Sequence, residues 1–339
     1  KFIYKFKGDD FMKKWVKSLG VVAMAASMII ASGCGGEKSS GGSSEKEGNE
    51  LEGKTISVVL KTLSSPYWKY VEAGAKAAGK ELGVEVNVVG PASESQVIEQ
   101  VNMIEDQINQ SPGALVVSPT QPSTVVPSLE QATQQGIPVL LIDTDTELKD
   151  KTTFIGTENF TAGQEAGKLL ASMLNKGDEV ALISGALGNT ATDERIKGAK
   201  KALEDAGMKV VAEQPADSDK SKAMSVMENI LQNNKNIKGV FAANDDMALG
   251  VLRAVEAKGM KIPVIGTDGT VEAVESIIAG KLAGTIAQSP YDMGYLGVEN
   301  AIKAIKGEKV EKRIDSGIDV ITKENAQEKL EFLKSITKE

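Results

Sequence analysis

From Lys54 onward the chain alternates short, β-rich apolar runs with amphipathic stretches of helical period, and it does so twice. The first series reads TISVVL, a helix over residues 66–82, VEVNVV, a helix over 93–109, ALVV, a helix over 123–135, and PVLLI. The second reads EVALIS, MKVVAE, KGVFAA, PVIGT and AGTIAQ, with helices beginning near Phe160, Thr192, Ser218, Asp246, Thr270 and Pro290, and IDVIT closes it. Strands that alternate with helices of this length predict parallel sheets with right-handed crossovers. Two such blocks within 339 residues, 41% of them hydrophobic, predict two doubly wound α/β lobes, each with its own core.

Composition then removes function classes. There is no histidine, the commonest general base and zinc ligand, and the only cysteine is Cys34, so disulfides, redox pairs and cysteine-rich metal sites are excluded. Hydrolytic chemistry would have to run on carboxylates alone. The formal net charge is -8, with 39 basic against 47 acidic residues and no basic stripe, so no nucleic-acid partner is expected. No GxxxxGK[ST] motif occurs, and the first strand-to-helix turn lacks the glycines of a dinucleotide fingerprint, so no cofactor is expected either.

The beginning of the chain reads as a targeting segment. Lys13, Lys14 and Lys17 precede the apolar run LGVVAMAASMII over residues 19–30, too short to span a bilayer, and then ASGCGG. Met12 reads as the true start, with residues 1–11 upstream of it. Setting aside the six lysines and two aspartates of residues 1–33 takes the net charge from -8 to -12. The Gly-, Ser- and Glu-rich stretch that follows Cys34 has nothing to bury and reads as a flexible linker over residues 34–53.

Ligands of open α/β sheets bind in the crevice outside the carboxyl ends of the strands. Those ends carry Lys61 and Thr62, Ser118, Asp143 with Asp145, Ser184 with Gly185, Asn244 with Asp245, Thr267 with Asp268, and Gln288. Any one of these has an ordinary explanation as a helix cap. Their repetition on both series points instead to one polar cleft between the lobes, with Arg195 in GNTATDERIKGA as its cation. Carboxylates that accept, amides that do both and a guanidinium fork that donates match the hydroxyls of a monosaccharide or polyol. Trp68, in LKTLSSPYWKY, supplies a flat ring for the C–H face of a sugar, and this reading predicts that Trp68→Ala weakens binding far more than it lowers the melting temperature. Ser65 and Pro66 read as N-cap and first residue of the helix there.

Several motifs together resemble one family. From TISVVLKTLSSPYW through GALGNTATDERIKGA, EQPADSDKSKAMSVMENIL, VFAANDDMALGVLRAVEAKG, VIGTDGTVEA and GKLAGTIAQSP, residues 54–323 are similar to the ribose- and allose-binding periplasmic proteins of sugar ABC importers. The resemblance implies two Rossmann-like lobes joined by three hinge crossings near Thr157, Gln288 and Gly317. The N-terminal lobe would then be residues 54–157 plus 289–317, and the C-terminal lobe residues 158–288 plus 318–339. It implies a ligand-binding role for Ser65, Tyr67, Trp68, Ser118, Asp143, Arg195, Ser218, Asn244, Asp268 and Gln288. Lys61 and Thr62 match the allose-binding pattern LKTLS. The residues before Cys34 resemble the lipobox of bacterial lipoproteins, with Ala31 where leucine is usual, which implies lipidation at Cys34 and anchoring at the outer face of the cell membrane.

The chain also departs from the ribose binders. They have asparagine where it has Ser65 and Ser118, arginine where it has Thr144, and an aromatic ring where it has Ser218; Asp145 offers a partial substitute for the missing arginine. The ligand is therefore an aldose, ketose, sugar alcohol or furanose-like molecule with no further restriction. The resemblance implies a monomer that closes on its ligand and presents the closed shape to an ABC permease, with no catalysis and no metal. Other readings remain at this point: a sugar or autoinducer receptor for a sensor kinase or chemoreceptor, and a glycosidase built on Asp143 and Asp268. A repressor with the same core would need a helix-turn-helix where this chain has its signal and tether.

Overall fold

The computed structural model describes residues 51–336. The signal segment at 1–33, Cys34 and the linker up to residue 50 lie outside the described residues. Leu51, assigned above to the linker, is already buried and packs with the first apolar cluster.

Two six-stranded sheets are present among the described residues. The first holds β1 (Thr55–Val59), β2 (Glu85–Val89), β3 (Ala114–Val117), β4 (Val139–Ile142), β5 (Thr153–Gly156) and, near the end of the chain, β11 (Arg313–Asp315). Its order is β11-β5-β4-β3-β1-β2, every pair parallel. The second holds β6 (Glu179–Ser184), β7 (Lys209–Pro215), β8 (Ile237–Ala242), β9 (Val264–Asp268), β10 (Gly284–Ala287) and β12 (Asp319–Ile321), in the order β12-β10-β9-β8-β6-β7. Both orders are the doubly wound 2-1-3-4-5 pattern with one added edge strand, which puts a switch point between β1 and β3 and another between β6 and β8.

Alternation along the strands of the first sheet explains its two faces. Ile56, Val58, Val116, Leu140 and Ile142 face α1 (Pro66–Leu82) and a late helix, Pro290–Ile305. Val59, Leu115, Val117, Val139 and Leu141 face α2 (Val97–Asn109) and α3 (Pro122–Gln134). In the second lobe α4 (Asn159–Ala171), α5 (Thr190–Asp205), α6 (Lys220–Asn233), α7 (Asp245–Ala257) and α8 (Val271–Ile278) bury a single apolar cluster that includes Leu182, Phe241 and Ile265. The late helix, α9, returns to the first lobe, and α10 (Ala326–Ile336) closes the second. The chain thus passes between the sheets three times: after β5, after β10, and between β11 and β12.

The two α/β lobes are as expected, with one difference. β12, the IDVIT segment, runs antiparallel to β10. The carboxyl ends of both sheets face the cleft, so a chain that leaves β11 there enters the second sheet from the cleft and must run against its neighbour. The sequence pattern misses β5, β11 and α10; β11 is three residues long and β5 four. It also starts α2 too early. Residues 93–96 form a loop held by its own side chains, with Ser93 N donating to Gln96 Oε1 at 3.0 Å, and the helix begins at Val97.

Candidate functional site

The strand ends of the first lobe carry a compact charged cluster. Asp143, just past β4, has a left-handed backbone (φ +62°), which aspartate tolerates better than most residues. Its buried carboxylate accepts from Lys61 Nζ at 2.8 Å, Tyr67 Oη at 3.0 Å, Thr144 Oγ1 at 2.9 Å and Ser118 Oγ at 3.4 Å. Burial alone would raise its pKa, but the Lys61 and Arg195 cations outweigh that and hold the carboxyl below its ordinary value. Burial beside the carboxylates of Asp143 and Asp268 pushes the Tyr67 phenol well up, so it stays a proton donor.

The first turn of α1 supplies the rings. Tyr67 and Trp68 meet edge to face, with centroids 5.0 Å apart and planes at 82°, and Lys61 Nζ lies 5.4 Å from the Trp68 ring centroid. Trp68 Nε1 donates to Glu94 Oε1 at 3.0 Å. Both rings are also buried members of the first lobe's apolar cluster. Ser65 takes the N-cap position but makes no side-chain cap; its hydroxyl instead reaches the second lobe, donating to Asp246 Oδ2 at 2.9 Å.

In the second lobe Arg195, on α5, is fixed from three sides. Its Nε donates to Asn159 Oδ1 at 2.8 Å, and its Nη1 donates to the Ala243 carbonyl at 2.9 Å and to Asp268 Oδ1 at 3.3 Å. Gly163 makes this possible: a Cβ there would lie 2.0 Å from the Arg195 carbonyl oxygen, so α4 and α5 pack this closely only with glycine at the crossing. Asp268, at the end of β9 with φ +133°, also accepts from Gln288 Nε2 at 2.7 Å. Burial pushes its carboxyl well up, against the pull of Arg195. Asn244 caps α7, its Oδ1 accepting from Met247 N at 2.8 Å, while its Nδ2 faces the Ser218 carbonyl at 3.5 Å. Ser218 and Asp217 both have left-handed backbones, φ 59° and 50°, ahead of a helix that starts at Lys220, and Ser218 lines the same cavity as Glu94.

One cavity lies between the two sets. Lys61, Ser65, Tyr67, Trp68, Asp143, Arg195, Ser218, Asn244 and Asp268 line it, together with Glu94, Ala191 and Thr192. Ser118 and Thr144 are fully buried behind Asp143 and hold it from below. Gln288 sits behind Asp268. Thr62 is turned to Ser64, with their hydroxyl oxygens 3.0 Å apart. Asp145 does not take the place of an arginine: it pairs with Lys151 at 2.5 Å. Asp245 lies below the cleft, where its carboxylate accepts from Thr270 N at 2.8 Å, Thr270 Oγ1 at 3.1 Å and Thr285 Oγ1 at 2.6 Å.

Glu94, Asn159 and Asp246 escaped the sequence reading. Glu94 lies in the loop after β2, where polar residues that suit a helix mask a strand end; the strand-end rule applied to β2 finds it.

The lobes touch on both sides of the cavity. Besides Ser65 and Asp246, Asn189 Nδ2 donates to the Thr120 carbonyl at 3.0 Å and Thr190 Oγ1 to that of Asp145 at 3.2 Å. Tyr70, on α1, packs within the second lobe's apolar cluster. In this closed arrangement the cavity measures about 30 Å³, room for a water or two and not for a six-membered ring.

A family model described as periplasmic binding protein domain matches residues 56–309. The chain belongs to the periplasmic binding protein family. Among its relatives, the ribose import binding protein of Bacillus subtilis is 35% identical over 311 residues, covering 92% of this chain and 99% of that protein. The D-allose-binding periplasmic protein of Escherichia coli is 36% identical over 264 residues, covering 75% and 85%. Of solved structures, a carbohydrate transporter solute binding protein of Agrobacterium radiobacter, in complex with D-arabinose, superposes with a TM-score of 0.78 at 33% identity, covering 83% of this chain and 98% of that one. In this periplasmic binding protein the cavity stands outside the carboxyl ends of both sheets, where the rule for open α/β folds puts a ligand.

Proposed function

We propose that this periplasmic binding protein is the extracytoplasmic sugar-binding component of an ABC importer, and that it captures a monosaccharide or polyol between its lobes. The observation that carries this is the composition of the cavity: three carboxylates (Asp143, Asp268, Glu94), two cations (Lys61, Arg195), one amide (Asn244) and two aromatic rings, drawn from both lobes. Hydroxyls that donate to the carboxylates and accept from the cations would make hydrogen bonds to charged groups, about 1.5–3 kcal/mol each. Tyr67 and Trp68 offer apolar surface to the ring of the ligand. Ser118, Thr144 and Gln288 act through Asp143 and Asp268.

The cavity of this arrangement is too small to admit a ligand, so the lobes part at the three crossings and close again around it, less tightly than here, because only a closed form lets both sets of side chains reach the ligand. Entry also displaces the Lys61 ammonium from Asp143. The relatives named above bind a pentose and a hexose by their names, which supports a monosaccharide without choosing one. We read Cys34 as the lipid attachment point and the permease of the importer as the partner of the closed form, on the family resemblance and the Ala31 to Cys34 pattern.

A thermal-shift and calorimetric screen over pentoses, hexoses, polyols and inositols tests the reading. One class of these ligands is expected to raise the melting temperature, since a ligand at 100 times its dissociation constant adds about 2.7 kcal/mol to the folded state. Trp68 emission should change at the same concentration, with compaction in small-angle scattering. Failure of every class to bind would overturn the proposal, and turnover of a glycoside would favour an enzyme.

A further inference from the structure

The three segments that run between the lobes are tied to each other, and to the ion pair at the floor of the cleft, by one chain of side-chain hydrogen bonds. Thr157 follows β5 in the first crossing, Gln288 follows β10 in the second, and Ser316 follows β11 in the third. Ser316 Oγ and Thr157 Oγ1 are 3.2 Å apart, and Thr157 Oγ1 donates to Gln288 Oε1 at 2.7 Å. Gln288 Nε2 donates to Asp268 Oδ1 at 2.7 Å, and the same oxygen accepts from Arg195 Nη1 at 3.3 Å.

The direction of this chain is fixed by donor inventory. The single Thr157 hydroxyl hydrogen goes to Gln288, so Ser316 must donate to Thr157. The amide of Gln288 is oriented by its other partner, because turning it over would set its oxygen against the Asp268 carboxyl oxygen that now accepts from Nε2. Thr157 is 1% and Gln288 2% exposed, so water is not at hand to replace a broken link. Thr157 and Ser316 themselves do not line the cavity.

We propose that Thr157 and Ser316 are positioning residues of a hinge relay, which links rotation at the three crossings to the orientation of the Gln288 amide and hence to the Asp268–Arg195 pair that meets the ligand. Opening the lobes turns the crossings against one another, and hydrogen bonds between hydroxyls are lost once the oxygens separate beyond about 3.5 Å. The relay is intact in the arrangement in which Ser65 reaches Asp246 and Asn189 reaches Thr120, so it stabilises the closed state specifically. Losing it lowers the closed fraction whether or not a ligand is present, and the apparent dissociation constant rises by the same factor.

The role in ligand affinity rests on the sugar-binding reading; the effect on lobe separation does not. The test is therefore made with spin labels on Lys76→Cys in α1 and Lys201→Cys in α5, both exposed, in the full chain carrying Cys34→Ser, with inter-lobe distances measured without sugar and with the tightest ligand of the screen. Thr157→Val is expected to cut the ratio of closed to open molecules by about two- to tenfold, the worth of one net hydrogen bond, and to raise the dissociation constant by the factor by which the closed fraction falls. Thr157→Ser should restore both. Ser316→Ala, at a half-buried position, should show the same sign more weakly and serves if Thr157→Val folds poorly. A change in melting temperature with unaltered distance distributions would overturn the relay and leave these residues merely structural. If no sugar binds the unaltered protein, the proposed function fails, and the distances still decide the relay.

Discussion

Replacing Asp143 by asparagine keeps shape and volume but removes the only carboxylate, among the described residues, within 4 Å of Lys61 Nζ. The two side chains are 5% and 4% exposed, so the ammonium left behind is a buried, uncompensated charge. Breaking a buried pair from one side costs about 3–5 kcal/mol. Glu94, whose carboxylate also feels the Lys61 charge, offers a weaker second partner, which argues for the lower end, about 3 kcal/mol. For a protein of this size that is a drop of roughly 6–12 °C in melting temperature. Lys61→Met should cost much less, about 1 kcal/mol, because Asp143 keeps Tyr67, Thr144 and Ser118 as donors and Arg195 as a nearby cation. The double variant should cost less than the sum of the two. The pH signature is equally specific. The Asp143 carboxyl is held below its ordinary value, so its contribution is fully present above the unfolded-state pKa, about 3.9, and is lost as pH falls through the lower folded value. Asp143→Asn should lack that part of the acid loss. Urea denaturation of the three variants at pH 7, repeated toward pH 3, is the assay. A cost for Asp143→Asn below about 1 kcal/mol, or no greater than that of Lys61→Met, would mean that the pair is effectively solvated and would refute this reasoning.

Three further outcomes are expected. Gly163→Ala, whose Cβ would lie 2.0 Å from the Arg195 carbonyl oxygen, should cost about 1–3 kcal/mol in thermal or urea unfolding despite alanine's better helix propensity, and should weaken ligand binding in calorimetry by shifting Arg195. Burial raises the Asp245 carboxyl to about 7, so between roughly pH 4 and 7 the folded state binds the extra proton and stability falls as pH rises; Asp245→Asn should remove this slope, at most about 1.4 kcal/mol per pH unit, in denaturation curves across that range. Trp68→Phe, which keeps a ring but loses the donor to Glu94, should weaken binding by about three- to tenfold in calorimetry, whereas Trp68→Ala should also lose about 3–5 kcal/mol of stability.

That last expectation corrects the one drawn from sequence. A tryptophan in the first turn of a helix reads as a ligand platform or as core, and Trp68 belongs to the core cluster, 3% exposed, while it also lines the cavity. Sequence pattern made the lobes legible because strands buried on both faces are continuous apolar runs, and because each carboxyl end carries a polar residue at a fixed place. It could not show β11, whose three residues RID gain a sheet partner only through contact with β5, far away in sequence. Nor could it show that Ser65, an N-cap by position, spends its hydroxyl on Asp246, since that bond exists only once the lobes face each other. Glu94 was hidden by a boundary error of four residues at the start of α2, where polar residues that suit a helix instead bond within their own loop.

The return of the chain to its first lobe has a kinetic consequence. The face of the first sheet formed by Ile56, Val58, Val116, Leu140 and Ile142 is covered partly by α9, residues 290–305, and α1 packs on that helix so closely that a Cβ on Gly74 would strike the Tyr291 carbonyl oxygen at 2.0 Å. The lobe begun first is therefore completed only after the second lobe's first five strands have all been synthesised. Contacts between residues some two hundred positions apart slow folding, because the loop entropy is lost before the contacts form. A chain that stops before α9 leaves this apolar face without one of its two covering helices, so docking of α9 is the late, long-range step in completing the first lobe.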